Sequence, residues 1–190
     1  MEKVRIGFAL TGSFCTFKPV FEQMETLVRE GYDVAPIMSA NSYATDTRFG
    51  RAADWVQKAE EITGKSVIHT IAQAEPIGPK KLLDLLLIAP CTGNTLGKLA
   101  CGIYDTAPTL AVKSHRRNER PVLLAVSTND ALASSAVNIG RLQNQKGFYF
   151  VPHEQDDFRG KPRSCVADFT RILPAVQAAL EGKQLQPMIY

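Results

Sequence analysis

The chain has 190 residues, 45% of them hydrophobic, and a net charge of +3. This composition excludes a disordered chain, and so small a charge argues against binding to nucleic acid or to a membrane surface. The four cysteines form no CxxC pair and no zinc pattern, and no apolar segment is long enough to cross a bilayer. We therefore predict a reduced cytoplasmic protein with no metal site, folded as one domain over residues 1–190.

Apolar runs alternate with helical patterns along the first half of the chain. Val4 to Leu10 is a strand candidate, and Phe17 to Glu30 has apolar residues at helical spacing. Asp33 to Met38 is the next predicted strand. A helix is predicted over Thr47 to Ile62, and a short strand over Val67 to Thr70.

The second half continues the alternation. Leu82 to Ala89 and Pro121 to Ser127 are almost wholly apolar, which is typical of strands buried on both faces. Phe148 to Val151 is a last, short strand candidate. Helices are predicted over Thr92 to Cys101, Pro108 to His115, Asn129 to Gln143 and Ser164 to Leu180.

The alternation of buried strands and helices indicates a parallel sheet that is covered on both faces. Right-handed crossovers then give an α/β fold, a flavodoxin-like, doubly wound three-layer α/β/α sandwich. We expect the first strand to be central in this sheet. Ligands of such folds bind outside the carboxyl ends of the strands, so the turns after the strands are the segments that matter.

The first two strand-end turns are short and polar. Thr11-Gly12-Ser13-Phe14 offers a hydroxyl and backbone N–H groups near a helix start, where a phosphate binds well. It matches neither the dinucleotide fingerprint nor a Walker loop, and a plain turn with a helix cap is at least as good an interpretation. Ser39-Ala40-Asn41-Ser42 suits a phosphate or ribityl contact equally with ordinary helix capping.

Two further turns carry polar groups. The central strand ends in residues 89–95, where Thr92, Asn94 and Thr95 offer hydrogen-bonding groups at a helix start. We interpret Cys91 in this turn as a packing residue rather than a nucleophile. Residues 127–130, Ser-Thr-Asn-Asp, follow the next long strand. Four polar turns at one sheet edge predict a ligand site there more strongly than any single motif.

These segments together resemble a known family. The TGS turn, the block IAPCTGNTLGKLACGIYD, and STNDAL followed by VNIGRL and FVP are similar to the flavoprotein family of flavin-containing cysteine decarboxylases. The resemblance spans Val4 to Pro152 and is most specific in the central block. It implies an FMN cofactor and a homo-oligomer, a trimer or a dodecamer built from trimers, with the flavin at the subunit interface.

The resemblance also implies roles for individual residues of this chain. Phosphate-end contacts are implied for Gly12, Ser13 and Phe14, with Ser39 near the phosphate or the ribityl chain. The polar turn after the second strand adds Asn41 as a candidate cofactor contact. Contacts along the flavin ring and the rest of the cofactor are implied for Ala89, Pro90, Cys91, Thr92, Asn94, Thr95, Ser127, Thr128 and Asn129.

The chain departs from the family's decarboxylases at three points. Their proline-methionine-asparagine block is Ser127-Thr128-Asn129 here and keeps only the asparagine. Their catalytic histidine aligns with Pro76, and His69 nearby is out of register. Proline has no proton to exchange, so it has no acid–base role. Their cysteine-bearing substrate flap is replaced by HEQDDFRGKPRSCVADF. We therefore expect no decarboxylation of peptidyl-cysteine or phosphopantothenoylcysteine.

The opening KVRIGFALTGSFCTF and the segment GKPRS resemble one branch of the family. Members of that branch work with a nicotinamide-binding partner chain on a dihydropyridine dicarboxylate in endospore-forming bacteria. Lys161, Arg163 and Ser164 are then predicted to bind the dicarboxylate substrate. The alternative for this segment is a solvated loop. The alternatives for the chain are a flavin prenyltransferase or decarboxylase, and a non-catalytic scaffold.

Overall fold

The computed structural model describes residues 3–189, and within that range a mixed α/β sheet organises the chain. Its strands are β1 (Arg5–Leu10), β2 (Asp33–Met38), β3 (Leu85–Cys91), β4 (Val122–Thr128), β5 (Phe148–Phe150), β6 (His153–Glu154) and β7 (Cys165–Ala167).

The strands β1 to β5 run parallel and lie side by side in the order β2-β1-β3-β4-β5. The predicted doubly wound parallel sheet is confirmed for these strands. The expectation that β1 is central is wrong, because β1 lies between β2 and β3 and the middle strand is β3. The antiparallel strand β7 pairs with Ser127 and Thr128 at the end of β4, and β6 pairs with β7.

Helices cover both faces of the sheet, which confirms the three-layer sandwich. They are α1 (Phe17–Arg29), α2 (Ala40–Ala44), α3 (Ala52–Thr63), α4 (Ile71–Ala74), α5 (Gly93–Ala100), α6 (Ala107–Arg116), α7 (Ala136–Gln143) and α8 (Ile172–Leu180). The helices α1, α3 and α8 share one apolar core with the sheet, and α4 to α7 share the other. Within residues 3–189 no helix is both long and apolar enough to span a bilayer.

Local sequence explains the best-formed elements. Every residue of β3 is buried, as expected for the middle strand of a sheet covered on both faces. In α1 the buried residues recur at helical spacing, from Phe17 to Leu27, and the opposite face is polar. Gly31 follows this helix with a φ of +89°, a backbone conformation that favours glycine.

Three predicted elements differ in the structure. Residues 67–70 form no strand; Ile68 makes only an isolated bridge to Ile37 on β2. The helix predicted from Thr47 begins at Ala52, because residues 47–50 form a tight turn. The helix predicted from Asn129 begins at Ala136, because the turn around Asp130 consumes the residues before it.

The last predicted helix, from Ser164 to Leu180, is three elements. Cys165–Ala167 is a strand because it pairs with the end of β4. Asp168 then accepts a hydrogen bond from Thr170 N at 3.0 Å and caps a short 3₁₀ turn, Phe169–Arg171. The helix α8 follows, with Pro174 in its first turn, where a missing N–H costs nothing.

Both outer edges of the parallel sheet are covered by the chain itself. Beside β2, Ile68 N donates to Pro36 O at 2.9 Å and Met38 N donates to Ile68 O at 2.8 Å. Beside β5, the Gln184 side chain accepts from Phe150 N at 2.8 Å and donates to Phe150 O at 2.7 Å.

Ion pairs and a buried histidine hold the amino-end edge of the sheet. The Asp84 carboxylate accepts from Arg5 Nη2 at 2.9 Å and lies 3.1 Å from Arg120 Nη1. The side chain of His115 is buried, and its Nε2 lies 3.0 Å from Pro121 O. Burial lowers the pKa of His115 to about 4, so the folded chain keeps this ring neutral at pH 7.

Candidate cofactor site

The turn after β1 is tied to the turn after β3 by one buried hydroxyl. Thr11 is 2% exposed, and its Oγ1 donates to Pro90 O at 2.6 Å. The same oxygen accepts from Thr92 N at 3.1 Å. The first turn closes on itself where Ser13 N donates to Thr11 O at 2.7 Å. The polar groups of the two turns therefore have fixed relative positions.

A second hydroxyl contact brings in the turn after β4. Ser13 Oγ lies 2.8 Å from Ser127 Oγ, although the two residues are 114 positions apart in the sequence. The pairing of β7 with Ser127 and Thr128 holds the same turn from its other side. Three of the four predicted turns thus meet at one place.

Helix capping is real at two of these turns. The Ser39 hydroxyl accepts from Ser42 N at 3.2 Å at the start of α2. The Thr92 hydroxyl accepts from Thr95 N at 3.4 Å at the start of α5. Each capping hydroxyl also contacts a neighbouring hydroxyl, Ser42 Oγ at 2.8 Å from Ser39 Oγ and Thr95 Oγ1 at 3.1 Å from Thr92 Oγ1. Because Ser42 Oγ donates to Leu10 O, the Ser39 proton is directed to Ser42, and a ligand would have to replace that contact.

Asp130 organises the turn after β4. Its carboxylate accepts hydrogen bonds from Thr128 Oγ1 at 2.6 Å, Ser135 Oγ at 2.8 Å and Ser134 Oγ at 2.8 Å. Partial burial opposes its ionisation, but these three donors outweigh burial, and the pKa of Asp130 is lowered. A Cβ on Gly93 would lie 2.7 to 2.8 Å from this cluster, so glycine lets α5 pack closely against the turn.

Two adjoining cavities open above the turns, and Gly12, Thr92 and Asn94 line both. The smaller has a volume of about 430 Å³ and the larger of about 760 Å³. Predicted site residues on the smaller cavity also include Ser39, Asn41 and Thr95. Those on the larger cavity also include Ser13, Phe14, Ser127, Thr128, Asn129, Lys161 and Ser164.

Four predicted residues lie on neither cavity wall. Ala89, Pro90 and Cys91 are buried in β3. Burial raises the pKa of the Cys91 thiol, which agrees with a packing residue rather than a nucleophile. Arg163 is exposed, and its carbonyl oxygen accepts from Leu132 N at 3.0 Å. The implied flavin contacts of the three buried residues and the substrate contact of Arg163 stay predictions.

The structure adds wall residues that sequence reasoning did not identify. Arg48 and Phe49 come from the turn before α3 and line the larger cavity, together with Asp130 and Asp156. The smaller cavity gains Lys98 from α5, among others. The run Thr45-Asp-Thr-Arg-Phe-Gly50 is a polar stretch ending in glycine, which is a turn signal, but we assigned most of it to a helix.

Two of the cations on the cavity walls are already paired. Lys161 Nζ lies 3.0 Å from Asp156 Oδ2, and Lys98 Nζ lies 2.6 Å from Asp105 Oδ1. Partial burial opposes the ionisation of Asp156, but hydrogen bonds from Ser164 and Lys161 outweigh it, and the pKa of Asp156 is lowered. The Lys161–Asp156 pair is therefore fully charged at pH 7.

No histidine lines either cavity, and all three histidines of the chain are among the described residues. His69 stacks on Tyr43 with ring centroids 3.7 Å apart. His115 and His153 are buried. Pro76, where the resemblance predicts the histidine of the decarboxylases, belongs to a short 3₁₀ turn and lines neither cavity.

The wall residues suit a phosphate and a polyol. Hydroxyls of Ser13, Ser39, Thr92 and Thr95 line the two cavities, and α5 starts between them with the partial positive charge of a helix N-terminus. Asp130, an acid on the wall of the larger cavity, is occupied by its own three donors. The donor set suits a phosphate group attached to a hydroxylated chain.

Comparison with known proteins settles the family. The profile of the flavoprotein family matches residues 1–177. This chain belongs to the flavoprotein family. The family assignment confirms the resemblance seen in the sequence, and it agrees with a site made of strand-end turns.

Individual proteins are similar to this chain over different lengths. The B subunit of dipicolinate synthase of Bacillus subtilis (strain 168) is 47% identical, over 97% of this chain and 92% of the relative. A coenzyme A biosynthesis bifunctional protein of Thermococcus kodakarensis is 28% identical over 95% of this chain, which spans only 44% of that relative.

Solved structures of flavoproteins agree with the fold. The crystal structure of the B subunit of dipicolinate synthase from Bacillus halodurans has a TM-score of 0.91 and 40% identity, and the match covers 100% of this chain and 98% of that one. An FMN-dependent cysteine decarboxylase has a TM-score of 0.69 at 22% identity, covering 94% and 95%, which shows a shared fold.

Proposed function

We propose that this chain is the flavin-binding subunit of a dipicolinate synthase. In this role it takes part, during sporulation, in oxidising a dihydrodipicolinate-type precursor to pyridine-2,6-dicarboxylate in the cytoplasm. The observation that carries the proposal is the 47% identity to the Bacillus subtilis B subunit of dipicolinate synthase over nearly all of both chains. Its working partner is the A subunit of the same enzyme, and the chain itself assembles as a trimer or a dodecamer.

The proposed cofactor is FMN. Membership of the flavoprotein family supports a flavin, and the hydroxyl-lined cavities support a mononucleotide because they offer donors to one phosphate and a ribityl chain. The absence of a dinucleotide glycine fingerprint after β1 agrees with this. When bound, a flavin supplies an acceptor for the two electrons that leave a dihydropyridine ring as it becomes aromatic.

The contribution of the chain is to bind and orient. The smaller cavity, with Ser39, Asn41 and Thr95, suits the phosphate end of the cofactor. The larger cavity carries Lys161 and Ser164 on its wall and suits the flavin ring together with a dicarboxylate substrate. Under this proposal Asn129, which also lines the larger cavity, orients the flavin or the substrate.

The decarboxylase alternative lacks a histidine at the cavities. In the family's decarboxylases a histidine does this work, and here none of the three histidines lies on a cavity wall. The non-catalytic scaffold differs from the proposal in a measurable way, because the reaction rate of a complex with a scaffold subunit does not depend on a flavin bound to that subunit.

The test is to express the chain together with its dipicolinate synthase partner and to purify the complex. We expect a bound flavin with the absorbance spectrum and mass of FMN. We also expect the complex to turn over the dihydropyridine dicarboxylate at a rate that the partner does not reach without this chain. A flavin-free complex as active as one reconstituted with FMN would overturn the oxidoreductase role and leave the scaffold.

A further inference from the structure

A tight turn, Thr47 to Gly50, places two side chains at the mouth of the larger cavity. Thr47 N donates to Gly50 O at 3.0 Å, and Gly50 N donates to Thr47 O at 3.1 Å. The two residues between them, Arg48 and Phe49, form the tip of the turn, and both line the larger cavity. They face the same space as Ser13, which belongs to the turn after β1.

The core holds this turn in place. Gly50 has a φ of +144°, and a Cβ there would lie 2.7 Å from Nε1 of Trp55. The ring of Trp55 packs against Phe17 and Phe21 of α1, with centroids 5.4 and 5.1 Å away. Asp46 Oδ1 accepts from Ala52 N at 2.8 Å and fixes the other side of the turn to α3. The tip is therefore presented to the cavity by a packed support.

Of the cations on these walls, Arg48 is the one without a carboxylate partner among residues 3–189. Lys98 and Lys161 each pair with an aspartate, at 2.6 and 3.0 Å. The guanidinium of Arg48 lies 4.8 Å from the ring centroid of Phe49, and no carboxylate among residues 3–189 is within 4.0 Å of it. Arg163, the arginine that the sequence favoured, does not line the cavity.

We propose that the Arg48–Phe49 tip is the substrate-recognition element of this site. Arg48 binds one carboxylate of the pyridine dicarboxylate with two parallel hydrogen bonds, for which a guanidinium has matching geometry. Phe49 is 42% exposed and packs against the pyridine ring. The second carboxylate lies toward Lys161 and Ser164. This inference rests on the proposed function, because it takes the substrate class from it.

The test measures binding by calorimetry to the complex with the partner chain, with two probes, pyridine-2,6-dicarboxylate and pyridine-2-carboxylate. In the parent the dicarboxylate binds more tightly, since it alone uses both cationic walls. Arg48→Ala is expected to weaken dicarboxylate binding by roughly 10- to 100-fold, the range for a lost charged hydrogen bond. It also brings the ratio of the two dissociation constants close to one. A merely structural role would weaken both probes equally and leave that ratio unchanged.

Matched variants complete the experiment. Arg51→Ala removes a nearby arginine that pairs with Asp54 at 2.7 Å and lines neither cavity, so binding of both probes stays at the parent value. Phe49→Ala weakens both probes by about 5- to 10-fold with no change in their ratio, because a ring contact serves both. Flavin absorbance stays the same in all three variants.

The outcomes separate the two proposals. A parent that binds the dicarboxylate with an unchanged ratio in Arg48→Ala overturns the inference and leaves the proposed function standing. A ratio that collapses in Arg163→Ala instead of Arg48→Ala returns recognition to the loop between β6 and β7. A parent complex that binds neither flavin nor dicarboxylate overturns the proposed function, and the inference with it.

Discussion

The sheet uses polar residues in opposite ways at the two ends of its strands, the amino-end edge and the carboxyl-end edge. At the amino-end edge, Asp84 is held between Arg5 and Arg120, and the neutral ring of His115 is buried against the backbone. At the carboxyl-end edge the polar groups are mostly hydroxyls, such as Ser13 and Ser127, which contact each other across turns. At the first edge the charges pair with one another, whereas at the second the Asp130 carboxylate is held by three hydroxyls.

The difference shows how one sheet separates stability from binding. Charged groups at the amino-end edge satisfy one another, so they stabilise the fold and leave little for a ligand. A hydroxyl donates and accepts, and it exchanges a neighbouring hydroxyl for a phosphate oxygen at small cost. We therefore expect changes at the amino-end edge to alter stability alone, and changes at the carboxyl-end edge to alter cofactor affinity alone.

The largest expected effect is a pH dependence from His115. Its folded pKa is about 4 because the ring is buried, against the ordinary 6.5. The stability that depends on a neutral His115 is fully present above pH 6.5. It is lost as the pH falls from 6.5 to 4, because in that range only the unfolded chain takes up the proton. The free energy of unfolding should fall by about 3 kcal/mol over that range, at about 1.4 kcal/mol per pKa unit. Urea denaturation at several pH values measures it.

His115→Gln is the control for this pH dependence. The amide keeps a donor for Pro121 O and does not titrate. Whatever its effect at pH 7, its unfolding free energy should change less between pH 6.5 and 4 than that of the parent. Parallel profiles of parent and variant would contradict a titrating His115.

Ser13→Asp introduces a negative charge at the carboxyl-end edge. A carboxylate beside the phosphate of FMN repels it, and we expect affinity to fall by on the order of 100-fold, or about 2.7 kcal/mol. The unfolding free energy of the flavin-free chain should stay nearly constant, because Ser13 is only partly buried. Fluorescence titration with FMN measures the affinity. Ser13→Ala, which adds no charge, is the control, and an unchanged affinity in Ser13→Asp would remove Ser13 from the phosphate end.

Asp84→Asn gives the smallest of the three effects. Burial opposes the ionisation of Asp84, but hydrogen bonds from Arg5 and the charge of Arg120 outweigh it, so its pKa is lowered. The stabilisation is present above the ordinary pKa of 3.8 and is lost as the pH falls through the lower folded pKa. We expect a loss of about 1–2 kcal/mol at pH 7 for this partly exposed pair.

Two comparisons sharpen the Asp84 experiment. Asp54→Asn breaks an exposed pair with Arg51 and should leave the urea midpoint nearly unchanged. FMN affinity should equal the parent value in both variants. A weaker affinity in Asp84→Asn would show that the two edges are coupled through β3.

The sequence predicted best those features that depend on residues close together in the chain, such as buried strands and the turns that follow them. Alternating strands and helices predicted the three-layer fold. Residues predicted to follow strands, such as Ser39 and Thr92, lie on the cavity walls, and their cofactor contacts stay predictions. The Arg48–Phe49 tip was missed because its position depends on Gly50 packing against Trp55, which is a tertiary contact. The strand Cys165–Ala167 was missed for a similar reason, since only its pairing with β4 makes it a strand.

The covered edges of the sheet have a consequence for assembly. A free strand edge is a template on which another chain can add a strand, and this leads to aggregation. Here the backbone of Ile68 already occupies the side of β2, and the Gln184 amide imitates a peptide group beside Phe150. Both positions are therefore closed to intermolecular hydrogen bonding. Copies of this chain that associate therefore cannot extend the sheet at these two positions.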